Sequence, residues 1–358
     1  MKKLSLSKTH EALNAKMVDY AGFYMPVQYE GVIAEHLSVR NNVGVFDVSH
    51  MGEIFISGLE AKDFLQFITS NDIDKLVNGK VQYSCLPNLD GGIVDDILVY
   101  MINDNSFMLV VNASNIDKDL FWLNKHNSYD CKIDNRSDDY SLLAVQGPKS
   151  LELLSGLSES NLSSLDYYTF LKGEISGIEN VIISRTGYTG ELGFELYVLN
   201  EKVEDLWNSL FNTTIDLKPI GLAARNTLRL EKGFCLYGND INDTTSPLEA
   251  GLGWITKFTK DFVNSDNLKA QKEEGVTKKL VGFELLERGI PRHDYEIVDA
   301  DGNNIGIVTS GTMGPSVGKA IGMGYVTKEY SKVDAEIYIA IRNKKIKAQV
   351  VKMPFYKG

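Results

Sequence analysis

Two adjacent aspartates interrupt an apolar run and are the first residues whose types suggest chemistry. The stretch GGIVDDILVY places Asp95 and Asp96 among isoleucine, leucine and valine residues that predict a buried strand. Neighbouring side chains of a strand point to opposite faces, so the two carboxylates cannot act together as a general acid/base pair. An ionised carboxylate in apolar surroundings is costly unless it is paired. Both could be capped by backbone amides near the Gly91–Gly92 turn, or one could face a cavity, and strand geometry does not choose between these alternatives.

A glycine-rich turn between two predicted strands precedes another embedded carboxylate. In RTGYTGELGFELY, Gly187, Gly190 and Gly193 permit a tight excursion of the chain, and Glu195 interrupts the apolar run that follows. No Lys-Ser/Thr pair follows and no helix is predicted to begin there, so the segment is neither a phosphate loop nor a dinucleotide fingerprint. Glu195 fits either an outward-facing residue of a half-exposed strand or a carboxylate that binds a ligand.

Two arginines occur in GLAARNTLRLEKGFCLYGND, which begins as a predicted helix. The guanidinium group of arginine presents a planar set of donors that suits a carboxylate. Arg225 and Arg229 are therefore candidates for binding an anionic ligand. They are equally candidates for structural ion pairs with Glu231 or Glu249.

Two further patterns argue against common catalytic chemistry. The stretch DVSH, from Asp47 to His50, contains the residue types of a hydrolase triad, but side chains so close along one strand seldom meet in that geometry, and no GxSxG elbow is present. Three cysteines (Cys85, Cys131 and Cys235) lie far apart and form no CxxC motif. They are expected to be inert, buried thiols in a reducing compartment, with no metal site.

Composition and charge limit the class of protein. The chain has 358 residues, which predicts two or three domains, because a single hydrophobic core seldom grows to this size. With 37 basic and 48 acidic side chains the net charge is -11, and no long Lys/Arg run is present, so neither nucleic acid nor a membrane surface is an expected partner. The N-terminus lacks an apolar signal region, and no stretch approaches the ~20 apolar residues of a transmembrane helix. We therefore expect a cytoplasmic location.

The elements that must position these residues alternate without a βαβ rhythm. GVIAEHLSVRNNVGVFD predicts an amphipathic helix with Val32, Ile33, His36 and Leu37 as its apolar residues, followed by a strand near Val45. VQYSCLPN, IVDDILVYMI and FMLVVNAS predict an antiparallel meander. Further predicted helices occur in NIDKDLFWLNKH and after the Gly-Pro turn of SLLAVQGPKSLELLSGL. This mixture predicts an α+β fold with antiparallel sheet.

The C-terminal part of the chain is rich in predicted strands. It follows the charged segment NLKAQKEEGVTKKL, around residues 265 to 280, which is the best candidate for a domain boundary. Asp301-Gly302 and Arg342-Asn343 are hairpin-type turns between predicted strands. A small closed barrel or a sandwich is therefore expected.

Ten stretches occur in an order and at spacings that resemble one family. These stretches are KMVDYAGFYMPVQY, VGVFDVSHMGE, GGIVDDILVY, VNASNIDKD, QGPKS, SRTGYTGELGFELY, GLAARNTLRLEKGFCLYGNDI, TSPLEAGLGWITK, TSGTMGPSVGKAIGMGYV and KMPFYKG. Together they are similar to the aminomethyltransferases, or T-proteins, of the glycine cleavage system, from about residue 8 to the C-terminus. A single stretch is weak evidence, whereas ten in series are highly specific.

The resemblance implies a fold and its boundaries. The implied fold is a three-subdomain, folate-binding α+β fold with antiparallel sheets and a small C-terminal β-barrel, arranged around a central channel that holds tetrahydrofolate. Residues 1–265 would form the folate-binding region as two intertwined subdomains, with roughly residues 55–137 inserted. Residues 275–358 would form the barrel domain.

The resemblance also implies a reaction. The methylene carbon of an aminomethyl group, carried on the dihydrolipoyl arm of the lipoylated H-protein, is transferred to tetrahydrofolate as co-substrate. The products are 5,10-methylenetetrahydrofolate, ammonia and the dihydrolipoyl H-protein. No metal, nucleic acid or membrane takes part.

The site residues follow from the same resemblance by motif match. The catalytic aspartate falls on Asp96, which is also an implied folate contact. The other implied folate contacts are Tyr83, Val110, Asn112, Tyr188, Glu195, Arg225 and Tyr356. Within this set, the Glu195 carboxylate would accept hydrogen bonds from the N–H groups of the pterin edge, and the Arg225 guanidinium would bind the anionic folate tail. Phe234 departs from the pattern, since some relatives place a tyrosine there, and it lacks the hydroxyl.

Two rival families share parts of this pattern. Folate-dependent iron–sulfur-cluster repair proteins carry a KGCYxGQE-like motif where this chain has KGFCLYGND. The C-terminal half of a sarcosine- or dimethylglycine-type oxidase would require a flavin domain, for which we expect no residues to remain. The transferase family is therefore the preferred interpretation.

Overall fold

The computed structural model describes all residues from Met1 to Gly358. The chain forms two compact units and passes between them several times. The first unit consists of Met1–Gln66, Ile73–Tyr83 and Ile97–Asn226. The second unit consists of Phe67–Asp72, Ser84–Asp96 and Thr227–Gly358. No helix combines the length and the apolar character that crossing a membrane requires.

The chain contains strands and helices in mixed order, as the sequence predicts. The strands are β1 (Lys2–Lys3), β2 (Lys16–Tyr20), β3 (Phe23–Gln28), β4 (Gly44–Asp47), β5 (Gly52–Ser57), β6 (Val81–Pro87), β7 (Ile93–Asn103), β8 (Ser106–Val111), β9 (Lys132–Asn135), β10 (Tyr140–Gln146), β11 (Phe170–Ile175), β12 (Ile178–Ser184), β13 (Gly193–Leu199), β14 (Lys218–Pro219), β15 (Lys278–Leu285), β16 (Glu296–Val298), β17 (Asn304–Met313), β18 (Ala320–Thr327), β19 (Glu336–Ile341) and β20 (Lys344–Val351). The α-helices are α1 (Ser7–Ala12), α2 (Val32–Asn41), α3 (Ala61–Ile68), α4 (Ile116–His126), α5 (Ser150–Ser155), α6 (Val203–Phe211), α7 (Leu222–Glu231) and α8 (Ser265–Glu274).

A six-stranded sheet carries the main hydrophobic core of the first unit. Its strand order is β11-β12-β13-β10-β4-β14, and β13 pairs antiparallel with β10 along its full length. Phe194, Leu196 and Val198 of β13 are buried in this core. Because strand side chains alternate, Glu195 and Tyr197 lie on the opposite face of the sheet.

A five-stranded sheet, in the order β6-β7-β8-β5-β9, has one apolar face and one mixed face. The chain passes between the two units within β6 and again within β7. Ile54 and Ile56 of β5 are fully buried on the apolar face. The register pairs Glu53 with Val110 and Leu98 with Val110, which places these three residues in one row across the opposite face.

The second unit contains a closed six-stranded barrel, which confirms the first of the two alternatives predicted for this region. The order is β15-β18-β17-β16-β19-β20, and β15 closes the barrel by pairing with β20. Both predicted hairpin turns are present. Gly302 between β16 and β17 has φ 93°, and Arg342 between β19 and β20 has φ 56°, the left-handed backbone that such turns require.

The helix α2 lies in the segment predicted to be helical, but its buried face matches the predicted one only in part, since His36 is fully buried as predicted. Ile33, predicted to be on the apolar face, is 64% exposed, whereas Glu35 is 2% exposed. The Glu35 carboxylate accepts hydrogen bonds from the backbone N–H groups of Tyr29 (2.7 Å), Gly31 (2.9 Å) and Gly221 (2.7 Å). These three charge-assisted bonds offset the cost of burying the carboxylate, so a polar residue replaces the expected apolar one.

The other predicted elements are confirmed. The meander is β6, β7 and β8, the strand–turn–helix of SLLAVQGPKSLELLSGL is β10 and α5, and the two strands around the glycine-rich turn are β12 and β13. The charged segment near residue 265 contains α8. The subdomain boundaries at residues 265 and 275 stay predictions.

Candidate active site

The strand β7 carries its two aspartates on opposite faces. Asp95 is fully buried and Asp96 is partly exposed, as strand alternation predicts. The strand is anchored at Ile93, whose N–H donates to the carbonyl oxygen of Asn242 (3.1 Å) and whose carbonyl oxygen accepts from the Tyr237 hydroxyl (2.9 Å). All five residues belong to the second unit.

The turn before β7 requires glycine at one position. A Cβ atom on Gly92 would lie 1.8 Å from the carbonyl oxygen of Asp243. The Asn88 side chain bridges the same two residues, since its Oδ1 accepts from the Gly92 N–H (2.8 Å) and its Nδ2 donates to the Asp243 carbonyl (2.8 Å). This close approach of two backbone segments fixes the position of the strand that carries Asp96.

Two thiols lie within electrostatic reach of Asp96. Burial raises the pKa of the Cys85 thiol well above its usual range, and the negative charge of Asp96 raises it further. The pKa of the Cys235 thiol is also raised well above its usual range, first by burial and then by the negative charges of Asp240 and Asp96. Both thiols therefore stay protonated at neutral pH and are poor nucleophiles. No group of three or more His, Cys, Asp or Glu side chains could hold a metal ion.

Three of the predicted site residues come together in the first unit. The Arg225 guanidinium carbon lies 4.6 Å from the centre of the Tyr188 ring, a cation–π contact. Glu195 is 7% exposed and accepts a hydrogen bond from the Thr186 hydroxyl (2.5 Å). Burial raises the pKa of the Glu195 carboxyl, although the Thr186 hydrogen bond and the positive charge of Arg225 oppose the rise. Arg225 makes no salt bridge, whereas Arg229 forms the buried ion pair with Asp240 (2.6 Å).

A buried tyrosine pair adjoins Glu195 and was not predicted. The hydroxyl oxygens of Tyr100 and Tyr197 are 2.9 Å apart, and that of Tyr100 is 3.3 Å from the Thr186 hydroxyl. The hydroxyl oxygens of Thr186 and Ser184 are 2.9 Å apart, and because the single proton of the Thr186 hydroxyl goes to Glu195, Ser184 is the donor in this contact. Burial raises the pKa of both tyrosines, so their hydroxyls stay protonated and available as hydrogen-bond donors.

The remaining predicted contacts of the first unit lie on or beside the five-stranded sheet. Val110 is 4% exposed and shares its row with Glu53. Asn112 directly follows β8, and its carbonyl oxygen accepts from the Asn115 N–H (2.9 Å). Tyr83 on β6 and Asn112 are both partly exposed.

The C-terminal candidate, Tyr356, is held in the second unit by its backbone. Its N–H donates to the carbonyl oxygen of Glu231 (2.9 Å), and the Lys232 ammonium lies 5.5 Å from the centre of its ring. Phe234, the departure from the family pattern, is tied to Arg229 by two hydrogen bonds of its main chain. Its ring is partly exposed and offers no donor.

The DVSH stretch forms no triad. Asp47 accepts hydrogen bonds from the Ser49 hydroxyl (2.5 Å) and contacts the Nε2 of His10 (2.8 Å), while His50 packs edge-on against Tyr20 (5.5 Å between ring centres). Burial alone would raise the pKa of Asp47, but the bonds to His10 and Ser49 outweigh it and lower that pKa. Burial lowers the pKa of His50 to about 3, so its imidazole is neutral.

Sequence reasoning missed a polar set beside Glu195. Its members are Ser184, Thr186, Tyr100, Tyr197 and Gln146. Only Tyr197 had a local signal, because it lies two residues after Glu195 on the same strand and therefore on the same face. Apart from the local contact of Thr186 with Ser184, the other contacts join segments that are distant in sequence.

The fold and these residues define a class of protein. A mixed α+β chain ends in a closed barrel and presents a buried carboxylate, an aromatic ring and a guanidinium without a salt bridge at one place in its first unit. Such a set of polar and aromatic groups is typical of an enzyme site that binds a small molecule.

Comparison with known proteins assigns the chain within this class. The family model of the GCVT N-terminal domain matches residues 6–260, and that of the glycine cleavage T-protein C-terminal barrel domain matches residues 278–357. The chain therefore belongs to the glycine cleavage T-protein family.

Similar proteins extend over the whole chain. Proteins named aminomethyltransferase from Flavobacterium psychrophilum and Bacteroides fragilis are 61% and 56% identical, each over 100% of both chains. The crystal structure of the glycine cleavage system aminomethyltransferase T from Bartonella henselae matches with a TM-score of 0.94 at 34% identity, covering 99% of this chain and 98% of that one. The recognition made from sequence stretches, and the fold class with its C-terminal barrel, are confirmed.

Proposed function

We propose that the chain is the aminomethyltransferase of a glycine cleavage system. It transfers the methylene carbon of S-aminomethyldihydrolipoyl H-protein to tetrahydrofolate. The observation that carries this proposal is full-length similarity to proteins named aminomethyltransferase, at 61% and 56% identity. The carbon loses its bonds to sulfur and to nitrogen and gains two bonds to folate nitrogens. The two protons displaced from those nitrogens leave on ammonia and on the dihydrolipoyl thiol, so no oxidant or reductant is needed.

The residues of the first unit fit tetrahydrofolate as co-substrate. A pterin ring is flat and carries N–H donors on its edge, and a glutamate tail is anionic. We assign the Tyr188 ring to the pterin face, the Glu195 carboxyl to the pterin edge and the Arg225 guanidinium to the tail. The fit is supported by a guanidinium without a salt bridge and a carboxyl with one side-chain hydrogen bond. Four further folate contacts are assigned by match to the family motifs: Tyr83, Val110, Asn112 and Tyr356.

We assign the catalytic role to Asp96. A fixed carboxylate can stabilise the positive charge that develops on the aminomethyl carbon, orient the attacking nitrogen and assist proton transfer. The assignment to Asp96 is supported by its partial exposure, in contrast with the complete burial of Asp95. The protonated thiols of Cys85 and Cys235 would not compete for the electrophilic carbon.

The proposed partner is the lipoylated H-protein, because the reaction requires a carrier for the aminomethyl group. Membership of the T-protein family supports this partnership. A cytoplasmic location is part of the same proposal. Neither nucleic acid nor a membrane is a proposed partner.

Two measurements test the proposed function. Isothermal titration calorimetry with tetrahydrofolate, under anaerobic conditions, should show saturable binding. Ammonia release should then follow addition of aminomethyl-loaded H-protein, and it should require both substrates. Binding of tetrahydrofolate without ammonia release would contradict the transferase reaction and favour a maintenance role such as iron–sulfur-cluster repair. Absence of binding would contradict the assignment of folate.

A further inference from the structure

The side-chain amide of Gln146 fills the interior of the turn that carries Tyr188. Gln146 is the last residue of β10 and is 1% exposed. Its Nε2 donates to the carbonyl oxygens of Thr186 (3.2 Å) and Phe194 (3.4 Å), and its Oε1 accepts from the Thr189 hydroxyl (2.9 Å). One side chain therefore joins both arms of the turn between β12 and β13.

The glycines of the turn leave room for this amide. A Cβ atom on Gly187 would lie 2.1 Å from the Oε1 of Gln146, and one on Gly193 would lie 2.4 Å from its amide atoms. Real Cβ atoms do not approach so closely, because such distances are far inside van der Waals contact. Glycine is therefore required at positions 187 and 193 because the amide of Gln146, which is distant in sequence, occupies the space that a Cβ atom would need.

A second buried side chain holds the outer end of the turn. The side chain of Arg40, on α2, is 2% exposed. Its Nη1 donates to the carbonyl oxygen of Thr189 (2.7 Å) and to the Oε1 of Glu191 (2.9 Å). Thr189 is consequently fixed from both sides, by its hydroxyl to Gln146 and by its carbonyl to Arg40.

We propose that Gln146 is a positioning residue for folate binding. It holds the carbonyl of Thr186, whose hydroxyl donates to Glu195 (2.5 Å). It also holds Thr189, so Tyr188, which lies between these two anchors, is kept in its contact with Arg225 (4.6 Å). The inference rests on the proposed function, which assigns the pterin to Tyr188 and Glu195. Gln146 itself is buried and acts through them.

Preorganisation explains why such a residue would matter for affinity. A turn with three glycines has many accessible backbone conformations, and ordering it on binding would reduce the affinity for the ligand. Fixing the turn in the free protein removes that cost. Loss of Gln146 should therefore weaken binding of tetrahydrofolate more than it slows conversion of the bound substrate.

The variant Gln146→Met tests this inference, because methionine keeps the length and approximate volume of glutamine but makes none of its hydrogen bonds. We expect the Kd of tetrahydrofolate, from anaerobic calorimetry, to rise about tenfold. The KM for tetrahydrofolate should rise by a similar factor, while kcat at saturating tetrahydrofolate stays within about threefold of wild type.

The matched control is Val198→Ala, in the neighbouring strand of the same sheet. Val198 is 3% exposed and lies in the hydrophobic core, on the face opposite to Glu195. Its truncation should lower the Tm at least as much as Gln146→Met does, with the Kd of tetrahydrofolate unchanged. If Gln146→Met does not fold, Thr189→Val removes the hydroxyl bonded to Gln146 and should raise that Kd about threefold.

The outcomes separate this inference from the proposed function. A Kd within twofold of wild type for a folded Gln146→Met, or for Thr189→Val where that variant replaces it, overturns the positioning role. An equal loss of affinity in Val198→Ala also overturns it, because loss of stability would then explain the effect. Failure of the wild-type protein to bind tetrahydrofolate overturns the proposed function, and this inference with it.

Discussion

Asp95 and Asp96 show how far adjacent residues of one strand can differ in role. Asp95 is fully buried, whereas Asp96 is partly exposed and within electrostatic reach of two thiols. Substitution by asparagine keeps the shape of each side chain and removes its negative charge. The consequences of the same substitution at the two positions should therefore differ.

For Asp96→Asn we expect tetrahydrofolate binding within a few-fold of wild type and a loss of turnover of about 10²-fold or more, the usual effect of removing such a group. Ammonia release and calorimetry measure the two quantities. Asp95→Asn is the control and should act mainly on the Tm. If Asp95→Asn removed turnover and Asp96→Asn did not, the assignment would be reversed.

Glu53 is a buried carboxyl that the proposed reaction does not use. It is 1% exposed, and neither of its carboxyl oxygens has a hydrogen-bond partner. Burial raises its pKa well above 4.5, and the charge of Lys2 opposes the rise only in part. At pH values between the pKa of Glu53 in the unfolded chain and its higher pKa in the folded protein, Glu53 is protonated in the folded state and ionised in the unfolded state. The contribution of Glu53 to the free energy of unfolding therefore falls as the pH rises above about 4.5.

We expect Glu53→Leu to stabilise the protein by about 1–3 kcal/mol at pH 8, because an unpaired buried polar group is lost. The gain should be smaller at pH 4, where the Glu53 carboxyl of the unfolded chain is itself mostly protonated. Urea unfolding at both pH values measures it. Glu35→Leu is the matched control and should destabilise, since Glu35 accepts three backbone hydrogen bonds. A lower stability of Glu53→Leu at pH 8 would show that the carboxyl has a stabilising partner.

At the scale of single elements, the turn that precedes β7 is the most constrained feature. A Cβ on Gly92 would meet the Asp243 carbonyl oxygen at 1.8 Å. We expect Gly92→Ala to displace the start of β7, to lower stability by about 1–3 kcal/mol and to lower turnover through Asp96. Thermal unfolding and ammonia release measure these effects. The control is Gly156→Ala, because a Cβ atom on Gly156 would lie 3.5 Å from its nearest neighbour, an ordinary van der Waals distance. Wild-type stability and turnover of Gly92→Ala would contradict the requirement for glycine at position 92.

Local patterns predicted the elements better than the faces they bury. Strand alternation correctly separated Asp95 from Asp96, and glycine spacing correctly predicted the turn around Tyr188. The buried face of α2 was predicted only in part. His36 is buried as predicted, but hydrophobic periodicity cannot foresee a buried carboxylate such as Glu35, which binds backbone N–H groups from two other segments. Gln146 had no local signal, since its partners follow it by about forty residues.

The candidate site was predicted mainly through family resemblance. Residue chemistry alone left Glu195 and Arg225 with structural alternatives, and it could not identify a pterin. The structure brings Tyr188, Glu195 and Arg225 together in the first unit, whereas Asp96 and Tyr356 belong to the second. The specific roles of these residues stay predictions until binding and turnover are measured.

At the scale of the whole molecule, the barrel depends on residues outside its own strands. Leu230 of α7 packs with Leu280, Ile321 and Met323 of the barrel. Arg229 and Asp240 form a buried ion pair. The hydroxyls of Thr309 and Ser310, on β17, donate hydrogen bonds to the carboxylate of Asp240. Both charged residues of this pair precede residue 275, so the barrel strands alone would leave the buried hydroxyls of Thr309 and Ser310 without these partners.

We therefore expect residues 275–358, expressed alone, to expose an apolar face and to self-associate. Analytical ultracentrifugation and binding of a hydrophobic dye would measure this. The full chain is the control and should bind little dye. A monomeric fragment with cooperative unfolding would instead support the predicted barrel domain as an independent folding unit.

The passage of the chain between its two units has a consequence for synthesis on the ribosome. Every segment of the first unit has been translated once Asn226 has emerged, so that unit can close while translation continues. The second unit includes Phe67–Asp72 and Ser84–Asp96, which are translated early. These two segments can reach their native packing only after Thr227–Gly358 has been synthesised. The strand segment that carries the proposed catalytic carboxylate is therefore among the last to reach its native surroundings, and a truncated product would lack a functional centre.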